Sequence, residues 1–112
     1  MLSVSDPWYD LLRSGVKTLE GRLWTPSKRN FVDNYLNKII TINRNENPTD
    51  SFSAILIDYH LYSSFREALY DNPTRLLPGV PSIKEGIKVY RQYFSEADEK
   101  HQGVVLLEIK VL

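Results

Sequence analysis

Cysteine is absent from the 112 residues of this chain, and long apolar runs are absent as well. Without cysteine the protein has neither a disulfide framework nor a thiolate zinc site, and we expect it in a reducing, cytoplasmic compartment. No stretch of about 18 apolar residues predicts a membrane span. Met1 and Leu2 precede polar residues, so we expect no signal peptide.

An excess of charge is also lacking, because 14 basic residues balance 14 acidic ones. Proteins that bind nucleic acid through bulk phosphate attraction carry a positive excess. Nucleic-acid binding here would therefore depend on a local patch or a base pocket. The only two histidines, His60 and His101, lie far apart in the sequence and give no metal-ligand spacing. We expect no metal and no cofactor.

Two motifs of common enzyme classes are missing too. The chain contains neither a glycine-rich phosphate loop nor a G-x-S-x-G elbow, so nothing supports a nucleotide triphosphatase or a serine hydrolase. Its length, with 42% hydrophobic residues, suits one core and not two. We expect a single domain over residues 1–112.

The segment from Asp6 to Arg29 concentrates the most varied functional groups. Apolar residues at helical spacing predict a short helix, with Asp6 as its cap and Pro7 at its first position. Gly15 is expected to end that helix, since glycine adopts the left-handed geometry at little cost.

Residues 18–23 alternate in character and predict a strand. One side of it would carry three polar side chains, which are Thr18, Glu20 and Arg22. The opposite side would carry Leu19, Gly21 and Leu23. Lys17 lies in the turn before this row. Trp24 follows it and stands beside Lys28 and Arg29, in a segment (25–30) whose composition predicts a turn.

The remaining pattern alternates strands with short helices. Strands are predicted at residues 2–4, 39–42, 52–62 and 104–112, with a polar loop over 43–50. In the third of these, Ile55, Ile57, Tyr59 and Leu61 would share one face, and Phe52, Ala54, Leu56, Asp58 and His60 the other. Capping boxes begin helices at Ser64 and Ser82, and Ser95 with Asp98 predicts the start of a third, shorter helix. Residues 31–37 suit either a short helix or an extended linker. The pattern predicts an α+β fold, a small, mostly antiparallel barrel with short covering helices.

A resemblance to a known family adds to this interpretation. The pair Pro7-Trp8, the pair Leu11-Leu12, the pattern G-x-K-x-x-E-x-R from Gly15 to Arg22, and Trp24 together resemble the ASCH domain (activating signal cointegrator homology). The segment 90–112 is similar to the closing helices and last strand of bacterial and phage-type ASCH domains. The resemblance implies a PUA-like β-barrel whose cleft, between the first helix and the barrel, is lined by the motif residues.

The resemblance implies a nucleic-acid binding module, most simply for RNA, because the glutamate-bearing motif is closer to the coactivator-type ASCH domains. The partner would be RNA, another single-stranded nucleic acid or a free nucleoside. The candidate ligand-binding residues are Lys17, Thr18, Glu20, Arg22, Trp24, Lys28 and Arg29. A carboxylate such as Glu20 accepts hydrogen bonds from the exocyclic amine of cytosine, and Trp24 is suited to base stacking.

Two other interpretations stay open. One bacterial ASCH branch hydrolyses N4-acetylcytidine with a lysine and a threonine nucleophile; here Glu20 occupies the threonine position, and a carboxylate does not form the same ester intermediate. A ribonuclease is the second enzymatic alternative. In an enzyme of either kind, Lys17 and Glu20 would be the catalytic residues. The structural interpretation is that Glu20 and Arg22 form a surface ion pair while Lys17 is solvated in its turn.

Overall fold

A computed structural model describes all residues, 1–112, and combines one sheet with six short helices. The strands are β1 (Leu2–Val4), β2 (Leu19–Leu23), β3 (Ile39–Arg44), β4 (Asn47–Tyr62) and β5 (Val104–Val111). The helices are α1 (Trp8–Arg13), α2 (Pro26–Tyr35), α3 (Phe65–Asp71), α4 (Pro73–Leu76), α5 (Ile83–Arg91) and α6 (Glu96–Gln102). None of them has the length and apolar character needed to cross a bilayer.

The five strands form a curled sheet in the order β1-β3-β4-β5-β2. Three neighbouring pairs are antiparallel, and β1 runs parallel to β3. The two edge strands approach each other, since the guanidinium of Arg22 on β2 donates to the carbonyl of Ser3 on β1 at 2.6 Å. The sheet is thus a mixed half-barrel, which confirms the predicted α+β class and its short helices.

Two apolar cores lie on opposite sides of this sheet, and β5 contributes to both. Val105, Leu107 and Ile109 pack with Tyr9 and Leu12 of α1 in the first core. In the second core Val104 and Leu106 pack with Leu19 and Leu23 of β2 and with Phe65, Leu69 and Tyr90 from the helices. Burial on both faces explains the nearly continuous apolar sequence of β5.

The three helices predicted to begin at serine residues are confirmed. The hydroxyls of Ser64, Ser82 and Ser95 each accept a hydrogen bond from the backbone N–H three residues later. This is the local contact that the sequence pattern encodes. This contact determines where α3, α5 and α6 begin. Helix α5 packs on the side of β2 where Gly21 contacts Tyr90.

The turn predicted for residues 25–30 is wrong, because helix α2 begins there. Thr25 has extended backbone geometry, and its hydroxyl accepts from the N–H of Lys28 at 3.2 Å. Pro26 occupies the first helical position, where its missing N–H has no consequence. The same polar residues that suggested a turn therefore begin a helix, which resolves the ambiguity over residues 31–37 in favour of a helix through Tyr35.

The predicted eight-residue loop over residues 43–50 and the predicted cap at Asp6 are also wrong. Strand β3 continues through Arg44, and β4 resumes at Asn47 after a two-residue connection. Arg44 binds the carboxylates of Asp6, Asp10 and Asp50, which ties this hairpin to α1. Asp6 is thereby held by Arg44, and α1 begins after Pro7 without a side-chain cap.

A β-bulge in β4 changes the predicted faces of that strand. The pairing with β5 shifts between Leu56 and Asp58, leaving Ile57 without a partner in the register. Tyr59 consequently packs against the first core together with Leu56. Asp58 and His60 point to the other side, because one extra residue reverses the alternation of the strand beyond it.

Candidate functional site

The site is built around a buried lysine that follows the end of α1. Gly15, with φ of +81°, lets the chain leave the helix, and the N–H of Lys17 then donates to the carbonyl of Leu11 at 3.0 Å. The side chain of Lys17 is only 1% exposed, and its ammonium donates to the carbonyl of Leu76. Lys17 is therefore not a solvated turn residue, which corrects the structural interpretation of the motif.

Glu20 joins Lys17 to Arg22 in one cluster, and its carboxylate is almost fully buried. One oxygen, Oε1, lies 3.4 Å from the ammonium of Lys17. The other, Oε2, accepts from Nε and from one terminal nitrogen of Arg22 at 3.1 and 2.8 Å. The three side chains that the motif places at i, i+3 and i+5 thus form one connected group, which we call the Lys17–Glu20–Arg22 cluster.

Burial and neighbouring opposite charges act in opposite directions on the pKa values of Lys17 and Glu20. Burial lowers the pKa of Lys17, and the carboxylate of Glu20 opposes this only in part. Burial raises the pKa of Glu20, but the charges of Arg22 and Lys17, with their hydrogen bonds, outweigh it and leave that pKa below its ordinary value. Glu20 is accordingly ionised at neutral pH, while Lys17 loses its proton more readily than an exposed lysine.

A cavity of about 370 Å³ opens beside this cluster, between β1, β2 and α5. Its volume falls in the range of about 300–1,000 Å³ typical of small-molecule sites. The cluster forms part of its wall, and aromatic rings of Trp8, Tyr90 and Tyr93 form another part. The ring of Trp8 lies 5.7 Å from the ammonium of Lys17, a distance at which a cation is attracted to an aromatic face.

Helix α5 and the turn that follows it supply features that the sequence did not predict for the site. Tyr93 lines the cavity and is 48% exposed, which places it at the opening. Tyr90 is buried, but its hydroxyl has no hydrogen-bond partner and lies against Gly21. An added Cβ at Gly21 would meet that hydroxyl at 2.7 Å. The glycine at position 21 of β2 is therefore explained by the close approach of α5.

The other predicted ligand-binding residues lie outside the cavity wall. Lys28 is half-buried. Burial and the charge of Arg22 lower the pKa of Lys28, whereas the charge of Glu20 raises it. Lys28 therefore lies close enough to the cluster to interact with its charges. Arg29 lies 5.5 Å over the ring of Trp24, and Trp24 stacks on Tyr59 at 5.7 Å. These residues form a cationic and aromatic surface around the start of α2.

Thr18 is separated from the cavity. Its hydroxyl accepts from Nε of Arg75 at 3.0 Å, and Arg75 also binds the carboxylate of Glu108 at 3.0 Å. A second oxygen of Glu108 lies 2.8 Å from Nε2 of His60. Nothing in the sequence beyond the spacing of Asp58 and His60 indicates that His60 meets Glu108, because Glu108 lies on a different strand.

The fold and this cluster place the chain in a class of small α+β half-barrel proteins. Over 99% of its length the chain is similar to the crystal structure of hypothetical protein PH0355, with 33% identity, 96% of that chain covered and a TM-score of 0.83. It is also similar to the solution structure of protein PF0455 from Pyrococcus furiosus, with 31% identity, 99% of this chain and 94% of that chain covered, and a TM-score of 0.75.

The chain belongs to the family of these two proteins. No family model matches the sequence, and no curated protein matches it. Neither of the two names states an activity or an ASCH domain, so the ASCH resemblance stays a prediction.

Proposed function

We propose that this protein is a nucleic-acid binding module of the PUA-like, ASCH type, which holds a base of single-stranded RNA in the cavity between β1, β2 and α5. The observation that carries the proposal is the buried Lys17–Glu20–Arg22 cluster in the wall of a cavity large enough for a small molecule. A cluster of this kind is costly to bury, and here it adjoins a cavity.

The chemistry of Glu20 suits the recognition of a base. An ionised carboxylate has about four acceptor positions, and Lys17 and Arg22 use three of them. The remaining capacity is available to an exocyclic amine, the contact by which carboxylates recognise cytosine. The two cations hold the charge on Glu20, so that it remains an acceptor at neutral pH.

The aromatic side chains supply the second element of base recognition. A base is bound on its faces by stacking on aromatic rings, which contributes about 1–3 kcal/mol per base. Tyr93 stands at the opening of the cavity and Trp8 within its wall. Lys28 and Arg29 lie on the surface around the start of α2, where phosphates of a bound strand would pass.

Replacement of Tyr93 by alanine is expected to weaken RNA binding about 5- to 150-fold, which is the affinity equivalent of 1–3 kcal/mol of lost stacking. The measurement is fluorescence anisotropy of a labelled single-stranded RNA panel, with the sequence varied at one position. Since Tyr93 is half exposed, the variant should keep the fold.

Tyr70→Ala is the matched control, because Tyr70 is 73% exposed and does not line this cavity. It should bind RNA as the parent does. Equal affinities of the parent and Tyr93→Ala, or equal losses in both variants, would place the binding surface elsewhere and remove the support for a base in this cavity.

A second candidate function, a nucleoside amidohydrolase or ribonuclease, is favoured by one observation. Lys17 is a buried lysine with a lowered pKa beside an open cavity, and such lysines serve as general bases. Against the amidohydrolase, Glu20 replaces the nucleophilic threonine. The hydroxyl of Thr18 is bound by Arg75 and faces away from the cavity.

We expect the unaltered protein to show no turnover of N4-acetylcytidine and no cleavage of labelled RNA. The measurement is a chromatographic assay of both substrates, with Glu20→Gln run alongside. Turnover by the parent that is lost in Glu20→Gln would reverse the order of the two candidates and make the cavity an active site.

A further inference from the structure

A group of side chains separate from the cavity lies on β4 and β5. It is on the face of the sheet that carries the second core, which we call the outer face. Asp58, His60 and Glu108 each offer one ligand atom, and these atoms lie within 4.8 Å of one another. Nε2 of His60 is 2.8 Å from Oε1 of Glu108. Asp58 is exposed and the other two are half-buried, so the group is open to solvent.

The β-bulge in β4 creates this group. Before the bulge Leu56 faces the first core, opposite Ile109. The shift at Ile57 brings Asp58 into register with Glu108 and sends both Asp58 and His60 to the outer face. A bulge that redirects side chains in this way is typical of functional sites, and two paired strands hold the three residues on a rigid support.

We propose that Asp58, His60 and Glu108 bind a divalent transition metal ion. One imidazole nitrogen with two carboxylates is a donor set for ions such as Zn²⁺, Mn²⁺ or Fe²⁺, whereas Mg²⁺ and Ca²⁺ prefer oxygen ligands alone. Three protein ligands leave positions open for water or a substrate oxygen. The site is independent of the cavity and of the proposed function.

Arg75 would compete with a metal ion for the carboxylate of Glu108. Its guanidinium binds Oε2 of Glu108 at 3.0 Å and Thr18 at 3.0 Å, so it compensates the carboxylate charge that a metal ion would neutralise. Its side chain is about half exposed and is free to move into solvent. Metal binding therefore displaces a cation, and removal of that cation strengthens the site.

The test is a calorimetric titration of the full chain with Zn²⁺, and with Mg²⁺ in a parallel series. The parent is expected to bind one Zn²⁺ per chain and to show no heat with Mg²⁺. Removal of a group that only hydrogen-bonds to a metal ligand already weakens metal binding about tenfold or more. His60→Ala removes a ligand itself and should therefore weaken Zn²⁺ binding by at least about tenfold. Arg75→Ala should bind Zn²⁺ more tightly than the parent.

His101→Ala is the matched control, since His101 is exposed on α6 and lies outside the group. It should bind Zn²⁺ as the parent does. Circular dichroism verifies that each variant is folded, and Asp58→Asn serves as a second, isosteric variant with the same expected loss. Absence of saturable Zn²⁺ binding in the parent, equal affinities in the parent and His60→Ala, or a loss of equal size in His101→Ala would overturn the proposal.

Discussion

Removal of residues 109–112 from the end of β5 is expected to abolish cooperative folding. Ile109 is buried in the first core and its N–H donates to the carbonyl of Thr18 at 2.9 Å. The same residues pair with Ala54, Ile55 and Leu56 of β4. A buried aliphatic side chain contributes about 1.5–3 kcal/mol, and a hydrogen bond about 0.5–1.5 kcal/mol. Their combined loss, with the exposure of Ala54 and Leu56, approaches the stability of a small domain, about 5–15 kcal/mol.

Removal of Leu112 alone is the matched control. Leu112 is 64% exposed, so its deletion should leave the melting temperature close to that of the parent. Thermal unfolding followed by circular dichroism compares the three chains. A cooperative transition at the parental temperature in the chain that ends at Glu108 would contradict the structural role assigned to β5.

Local signals in the sequence predicted much of this fold. The caps at Ser64, Ser82 and Ser95 are contacts between residues three apart, so the sequence pattern specifies the contact directly. The strands were recognised from their alternation. Val111 of β5 is only half-buried, although it shares a face with three buried residues, because it lies at the end of the strand.

The wrong predictions have a common physical origin in contacts between distant segments. Arg44 binds three aspartates, two of them from the region of α1, and this interaction turns a polar loop into a hairpin. The bulge at Ile57 results from the pairing of β4 with β5, and no residue in β4 predicts it. The segment from Thr25 to Asn30 differs, because Thr and Pro are common both in turns and at helix starts. The contact that begins the helix, from the N–H of Lys28 to the hydroxyl of Thr25, is local.

In the candidate site too, contacts between residues close in sequence are predictable and contacts between distant segments are not. Alternation along β2 is enough to predict that Glu20 and Arg22 share one side of the strand. Lys17 precedes the strand, and only the resemblance to the ASCH motif places it with them. The wall supplied by Tyr90 and Tyr93 belongs to α5 and the turn after it, about 70 residues later in the sequence, and only the tertiary fold brings it to β2. Burial of Lys17 also depends on the distant carbonyl of Leu76, which explains why the turn appeared solvated from the sequence.

Two ion pairs of this protein share a distance of 3.4 Å and differ in their surroundings. Lys17 and Glu20 are 1% and 11% exposed, whereas Lys88 and Glu85 on α5 are 64% and 48% exposed. Loss of one partner from a buried pair leaves an uncompensated charge and costs about 3–5 kcal/mol. An exposed pair contributes about 0–1 kcal/mol. The chain therefore contains its own control for the energetic role of burial.

Glu20→Gln is expected to lower the free energy of unfolding by about 3–5 kcal/mol at neutral pH, while Glu85→Gln should lower it by less than about 1 kcal/mol. Both changes preserve side-chain size and remove one negative charge. Adding Lys17→Met to Glu20→Gln should restore part of the loss, because the buried ammonium is then gone. Urea unfolding of the four chains provides these values.

Acidification supplies an independent test of the same carboxylate. The pKa of Glu20 is lowered below its ordinary value of 4.5 in the folded protein, so its stabilising contribution is complete above that pH and is lost as the pH falls through the folded pKa. The difference in stability between the parent and Glu20→Gln should therefore stay constant from pH 7 to about 4.5 and shrink as the pH falls further toward 3. Glu85→Gln provides the reference curve. A difference that stays constant over this range would show that Glu20 is not held as a carboxylate by Lys17 and Arg22, and it would remove the basis for its role as an acceptor in the cavity.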